Sequence, residues 1–497
     1  MITKKFKKIL KRWIKDDDVI ILDFLKEVSK KIKISRYYKK GLMKDYEQII
    51  LYYLNKGVSI EEIINRLSLD KLDTFYQYKR INDWYPLDHA AKAYPLAMNM
   101  KWMSIFRVSM YLKERVNPKV LQMALNFTIK RFPYFATAVR WGFFWHYIDG
   151  IKRRFKVEQE EKVPCGYMDI AHGIHASFRV LYYKNRVSVE FFHILTDGSG
   201  ALIFLETLIG EYFRLMGKEI TSEDGFFEIH EEPQEAEFEN YFPKTDRSSG
   251  KANFVEKPSL QVEGKRTLMQ PSQIINFEMD CNELKTKCKE RGVTVSVMII
   301  AMMFFAVKAS IKKQKIKPNS SIQIQVPVNM RKYYPTKTLK NFSMIAGIRI
   351  KHSEINDFDE VLKEVDSQLK IKNTKEELDK IMTKSNRLIS NLKYIPLFLK
   401  SLVMPFIYPS VERSYATCFS NLGIIKVRKS LEEYIEKYDC ILGTLILNNV
   451  AVSMNTFKDK SIISINKAIK ESTFEETIFK YLVDLGVNVH VYGSREK

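Results

Sequence analysis

Apolar positions recur along this chain with two periods, and the shifts between them mark out its elements. From residue 1 to about 80 the spacing is helical. Apolar residues stand three and four apart among lysines, as in Tyr46-Glu-Gln-Ile-Ile-Leu-Tyr-Tyr-Leu54 and Ser59-Ile-Glu-Glu-Ile-Ile-Asn-Arg-Leu67. Ser59 with Glu62 reads as a capping box, in which hydroxyl and carboxylate each satisfy an end amide. From Trp84 the texture changes. Trp84-Tyr-Pro-Leu-Asp88 and Ala93-Tyr-Pro-Leu96 are aromatic and proline-rich and read as turns and an opening strand. Residues 102–111 continue as a strand. Asn117-Pro118 starts a helix, because proline at the first helical position gives up an amide that has no partner there. Leu121, Leu125, Ile129 and Phe132 carry it at helical spacing, and Pro133 ends it.

Two strand-like runs follow, Ala176–Tyr183 and Val187–Phe192, around a Lys184-Asn185 turn; they predict a hairpin. The second runs directly into His193. Ala201–Phe213 then has the broad apolar face of a helix. Residues 221–270, with the acidic block Glu231–Glu239 and the polar run Arg247–Lys251, form a linker or surface excursion. The second half repeats the α/β texture. Ile274–Met279, Ile322–Pro327, Met344–Ile350, Cys440–Leu447, Val450–Met454 and Ser461–Ile465 read as strands. Leu284–Glu290, Val295–Lys308, Asp357–Leu369 and a closing Phe474–Leu485 read as helices. Three units emerge: a helical extension over 1–80, a first α/β unit over 81–265 and a second over 266–497.

Composition narrows the class. A chain of 497 residues is too long for one ordinary core, and 45% hydrophobic with 28% charged residues is a folded composition. The net charge of +22 attracts anions such as nucleic acid, acidic lipid or coenzyme A, without choosing among them; a solvated lysine face explains it equally well. Residues 57–71 bear a faint likeness to a helix-turn-helix, but a helical cap is the preferred reading and nucleic acid is not an expected partner. The five cysteines, at 165, 281, 288, 418 and 440, form no CxxC pair, so neither a disulfide framework nor a structural zinc is expected, and a reducing cytoplasm fits. The basic N-terminus lacks the apolar core of a signal peptide, and the longest uncharged run, Gly292–Val307, is short for a membrane span.

His193 sits between a strand and a helix, where rigid elements can hold a loop accurately. Histidine is a suitable general base, since its ordinary pKa lies near neutrality. Asp197, four residues on, can order the loop, and Gly198 and Gly200 allow a turn and close backbone approach. By spacing alone a structural histidine fits as well.

The run His193-Ile-Leu-Thr-Asp197-Gly198 resembles the HxxxDG motif of the coenzyme A-dependent acyltransferase superfamily. That group takes in nonribosomal condensation domains, plant and polyketide-associated acyltransferases, and bacterial alcohol acetyltransferase-like proteins, the branch to which the likeness is nearest. The resemblance extends over roughly 83–490, through Trp84–Asp88, Arg131–Val139, Val326–Arg331, Asn341–Ser343 and Phe419–Gly423. It implies two chloramphenicol-acetyltransferase-like halves forming a pseudo-dimer around a central tunnel. It implies His193 as general base and Asp197 as a structural residue paired with an arginine, for which Arg331 is the candidate. Asn341 and Ser343 are candidates to line the donor side of the tunnel, or are turn-capping polar residues.

Phe192 stands where condensation domains usually have a first histidine, and the plant signature DFGWG is absent. With no carrier domain in the sequence, free acyl-CoA is the expected donor as a co-substrate, with a carrier protein in trans as the alternative. No permanently bound cofactor and no metal is expected; His172 and His175 lack further ligands nearby. The expected reaction moves an acetyl or other acyl group to an alcohol, lipid-like or amine acceptor. The rival reading is a non-catalytic binding or regulatory protein on the same scaffold. A monomer is expected, cytoplasmic or peripheral to a membrane. The apolar run Leu388–Pro409 could line the tunnel mouth or touch an anionic membrane; a buried connector is the preferred reading, with prolines 396, 405 and 409 ruling out one long straight helix.

Overall fold

The computed structural model describes residues 2–14, 17–72, 84–89, 91–98, 103–161, 163–170, 175–242, 257–267, 273–444 and 448–493. A five-stranded sheet has the order Ile435–Leu442, Ile105–Leu112, Arg186–Phe192, Phe178–Tyr183, Val157–Gln159. The predicted hairpin forms its centre, and Lys184 takes up a left-handed φ of 50° in the connecting turn. The strands Ile105–Leu112 and Arg186–Phe192 are buried almost throughout, so their one internal charged pair must be matched: Arg107 meets Glu190 at 2.6 Å and Glu160 at 2.8 Å. The helices Pro118–Thr128 and Gly198–Leu215 share a core with this sheet, the first capped by the Asn117 side chain on the Lys119 amide. A small sheet of Trp84–Pro86, Tyr147–Gly150 and Thr137–Arg140 lies beside it in the chain.

The second sheet has seven strands, in the order Ser343–Lys351, Ser321–Asn329, Thr417–Ile424, Val450–Phe457, Lys460–Lys467, Gln273–Asp280, His490–Gly493. The Val295–Ala309 helix is apolar on nearly all sides and buried in this unit's core, as an all-round apolar helix must be. Among the described residues no single helix is long and apolar enough to cross a membrane.

Several expectations are corrected. Of the strand predicted at Cys440–Leu447, residues 445–447 lie outside the described residues; the described strand starts earlier, at Ile435–Leu442, and belongs to the first sheet, where Tyr438 registers with Met110. A boundary near 265 therefore does not separate the sheets: this strand crosses back, and Asn455 of the second sheet donates to the Tyr438 carbonyl at 3.0 Å. The chain does not close on a helix. After Thr473–Asp484 comes the edge strand His490–Gly493, too short for its alternation to register. Ser59 caps the Ile60–Arg66 helix through the Glu62 amide, but the Glu62 carboxylate turns to Arg66 instead of completing a capping box. That seven-residue helix is part of a cap: the helices Lys4–Trp13, Asp18–Lys31, Arg36–Asn55 and Ile60–Arg66 share the first unit's core. They are fastened by Asp45 on Arg154 at 2.6 Å and by the Tyr53 hydroxyl on the Leu215 carbonyl at 2.7 Å. The run Leu388–Pro409 is no buried connector. It breaks between the helices Lys375–Asn391 and Leu397–Glu412, the latter continuing past both later prolines, and Phe398, Leu402 and Phe406 of it face solvent.

Candidate active site

Strand Arg186–Phe192 ends with Phe192 fully buried, which fixes where the chain leaves the sheet. The next amide, His193 N, still donates to the Ser104 carbonyl at 2.8 Å, so the histidine backbone is held as firmly as the strand. Its ring stacks on Tyr94 at 5.4 Å between centroids and packs at an angle on Phe106 at 4.9 Å. The Asn341 side-chain amide stands 3.3 Å from Nδ1. Burial lowers the pKa of His193, with Asp197 opposing, and so favours the neutral imidazole.

Four residues on, Asp197 is the N-cap of the Gly198–Leu215 helix. Its Oδ1 accepts from the amides of Ser199 at 3.1 Å and Gly200 at 3.3 Å. Its Oδ2 faces the second unit, accepting from Arg331 Nη1 at 2.6 Å, the Phe342 amide at 2.9 Å and the Ser343 hydroxyl at 3.3 Å. Burial on its own would raise this carboxyl; the Arg331 guanidinium and the amide donors outweigh it and hold Asp197 below the usual carboxylate range. Arg331 also donates to the carbonyls of Thr338 at 2.9 Å and Lys340 at 2.7 Å, so one guanidinium ties the 338–340 turn to the histidine turn. Thr196 completes the seam through the Leu339 carbonyl at 2.6 Å.

The glycines serve by absence of a side chain. Neither Gly198 nor Gly200 has a left-handed φ. A Cβ on Gly200 would fall 2.0 Å from Thr196 Oγ1 and 2.8 Å from the Leu339 carbonyl, whereas one on Gly198 would meet only the Leu422 side chain, at 2.5 Å.

His193, Asp197, Gly198, Arg331, Asn341 and Ser343 thus stand together at the seam between the units. His175 is exposed and His172 lies outside the described residues. Among the described residues no group of three or more histidine, cysteine or acidic side chains could hold a metal ion. All five cysteines are free.

Sequence reasoning missed Tyr94, on a four-residue helix with no periodicity to read, and Phe106. It also missed two buried charged residues, Asp88 and Lys340. Burial raises Asp88 to about 7 and lowers Lys340 to about 8. Lys340 donates to the Pro86 carbonyl at 3.1 Å. Neither of the two described cavities reaches His193. One, about 390 Å³, is lined by residues including Arg66, Asp70 and His230; the other, about 330 Å³, by residues including Leu202, Glu206 and Tyr438.

No family model matches the chain, and no curated protein matches it in sequence. Solved structures do. Trichothecene 15-O-acetyltransferase from Fusarium sporotrichioides is similar at a TM-score of 0.56 and 12% identity, over 80% of this chain and 94% of that one. The starter condensation domain of rhizomide synthetase, solved with C8-CoA and Leu-SNAC, is similar at 0.53 and 12%, over 81% and 94%. Polyketide synthase associated protein 5 from Mycobacterium tuberculosis is similar at 0.52 and 10%, over 80% and 96%. The chain has the mixed α/β architecture of the chloramphenicol-acetyltransferase and condensation-domain fold, with two pseudo-symmetric halves.

Proposed function

We propose that the protein is an acyltransferase that moves an acyl group, acetyl in the simplest case, from a coenzyme A thioester to the hydroxyl of an alcohol or lipid-like acceptor. The observation that carries this reading is a histidine whose pKa is lowered by burial, held at the seam of the two halves beside the Asp197–Arg331 pair. The imidazole takes the hydroxyl proton as the oxygen attacks the thioester carbonyl. The carbon–sulfur bond then breaks, and the imidazolium returns the proton to the departing thiolate. Asp197 and Arg331 are positioning residues: they hold the histidine turn against the second half. Asn341 and Ser343 line the donor side, and the tunnel through which donor and acceptor meet belongs to this proposal. Two similar structures support it by name, one an O-acetyltransferase and one a condensation domain solved with an acyl-CoA. The net charge of +22 favours an anionic donor, either free acyl-CoA or a carrier protein bearing the thioester. A monomer in the cytoplasm suits five free thiols.

The stacking of Tyr94 and Phe106 on His193 favours a second reading, a non-catalytic binding protein in which the ring is sealed. The test is coenzyme A release from a panel of acyl-CoAs, with and without a pool of alcohols and amines. Acceptor-dependent release with a product of matching mass supports the transferase. No release from folded protein with any donor, carrier-bound thioesters included, supports the second reading.

A further inference from the structure

The Leu397–Glu412 helix presents an unpartnered apolar face. Phe398, Leu402 and Phe406, four residues apart and so on one side, are 62%, 65% and 81% exposed. The opposite side is anchored: Leu397 is buried, its amide donates to the Phe143 carbonyl at 2.8 Å, and Lys400 donates to the Phe144 carbonyl at 2.8 Å. Those carbonyls belong to the tip between strands Thr137–Arg140 and Tyr147–Gly150, whose Trp141 and Phe143 are themselves 61% and 72% exposed. Helix and tip are therefore one connected surface. Single exposed apolar residues are ordinary; a continuous aromatic and aliphatic platform marks an interaction site.

Charge identifies the occupant. From 380 to 411 the chain carries not one aspartate or glutamate; of its cations, Lys400 is buried on the anchored side and Lys380 pairs with Glu377. Arg387 and Lys393 are exposed at the start of the platform. A second copy of this chain would set these cations against each other. An anionic bilayer satisfies both features: headgroups pair with the cations while phenylalanine, leucine and tryptophan enter the acyl boundary. The helix is too short to span, so it lies in the plane of the interface. It also packs on the short Tyr94–Ala97 helix, whose Tyr94 stacks on His193, so the platform adjoins the candidate base.

We propose that the Leu397–Glu412 helix and the 141–144 tip dock on an anionic lipid bilayer and place His193 next to a hydroxyl borne by an amphiphile in that bilayer. The acceptor half of this statement rests on the acyl-transfer reading; the docking half does not.

The experiment is co-sedimentation of the full chain with phosphatidylcholine vesicles with and without phosphatidylglycerol, at low and high salt. His193→Ala, the double variant L402E/F406E and the tip variant F143E are run beside the wild type. All three Glu positions are exposed, and circular dichroism checks that each variant folds. The expected result is at least about tenfold stronger partition onto the anionic vesicles, since each cation near such a surface is worth about fivefold, lost at high salt and in both Glu variants and unchanged in His193→Ala. Transfer to a vesicle-embedded long-chain alcohol falls in L402E/F406E while transfer to a short soluble alcohol does not. Absence of binding, equal binding by the double variant, or a wild-type dimer that the double variant abolishes would each overturn the docking proposal. If binding follows the expected pattern but no acyl transfer occurs to any acceptor, the docking stands and the acyl-transfer reading fails.

Discussion

Asp197 Oδ2 lies 2.6 Å from Arg331 Nη1, and this pair joins the turn that carries His193 to the second half of the molecule. Both groups are largely withdrawn from water, with side-chain exposures of 5% for Asp197 and 16% for Arg331. Breaking one partner of such a pair leaves the other unmatched, a larger loss than the pair's own net contribution.

Asp197→Asn is expected to lower stability by about 3 kcal/mol at pH 7 and to cut any turnover by misplacing His193. The Asp197 carboxyl is held below its usual range, so its contribution is present at neutral pH and disappears as pH falls through the folded-state value. Urea unfolding of wild type and variant across pH checks this: the gap should close in acid. An Asp197→Asn protein with full stability and full activity contradicts the positioning role.

Gly200→Ala should be far more damaging than Gly198→Ala. The first places a methyl against a backbone carbonyl at 2.8 Å, which can move only with the 338–340 turn; the second meets the end of the Leu422 side chain, which can rotate. A loss of about 1–3 kcal/mol is expected at 200 and less at 198, read from melting temperatures. Equal losses would show that the seam is looser than its hydrogen bonds imply.

Tyr94 covers one face of the His193 ring. If that ring is the base, Tyr94→Ala admits water and raises coenzyme A release in the absence of acceptor, while Tyr94→Phe, which keeps the ring, does not. Unchanged background hydrolysis in Tyr94→Ala would mean that the tyrosine does not shield the histidine.

A base must be unprotonated, and burial lowers the His193 pKa. The acid limb of kcat/KM is therefore expected below the ordinary histidine value of about 6.5, with a flat profile through neutrality. A limb centred above that value would assign the titration to another group.

Strands with both faces buried or strictly alternating, such as Ser321–Asn329 and Ser343–Lys351, were legible because their apolar period is sustained. The strand Ile435–Leu442 was misplaced because its outward positions are charged. Lys437 pairs with Glu278 of the other sheet at 2.7 Å, a partner with no trace in local sequence. The six seam residues could be named because motif and resemblance point to them. Tyr94 and Phe106 could not, since stacking on His193 depends on how a four-residue helix and a sheet strand meet in space. The exposed helix at Leu397–Glu412 was hidden for a simpler reason: an apolar run reads the same whether its face is covered or bare.

The role of His193 as general base is tested by kcat/KM for acyl transfer by wild type and His193→Ala with the same acyl-CoA and alcohol. A loss of about 100-fold to 10,000-fold is expected, with the fold and melting temperature retained. A folded His193→Ala protein within about threefold of wild type, well short of what a base contributes, would contradict it.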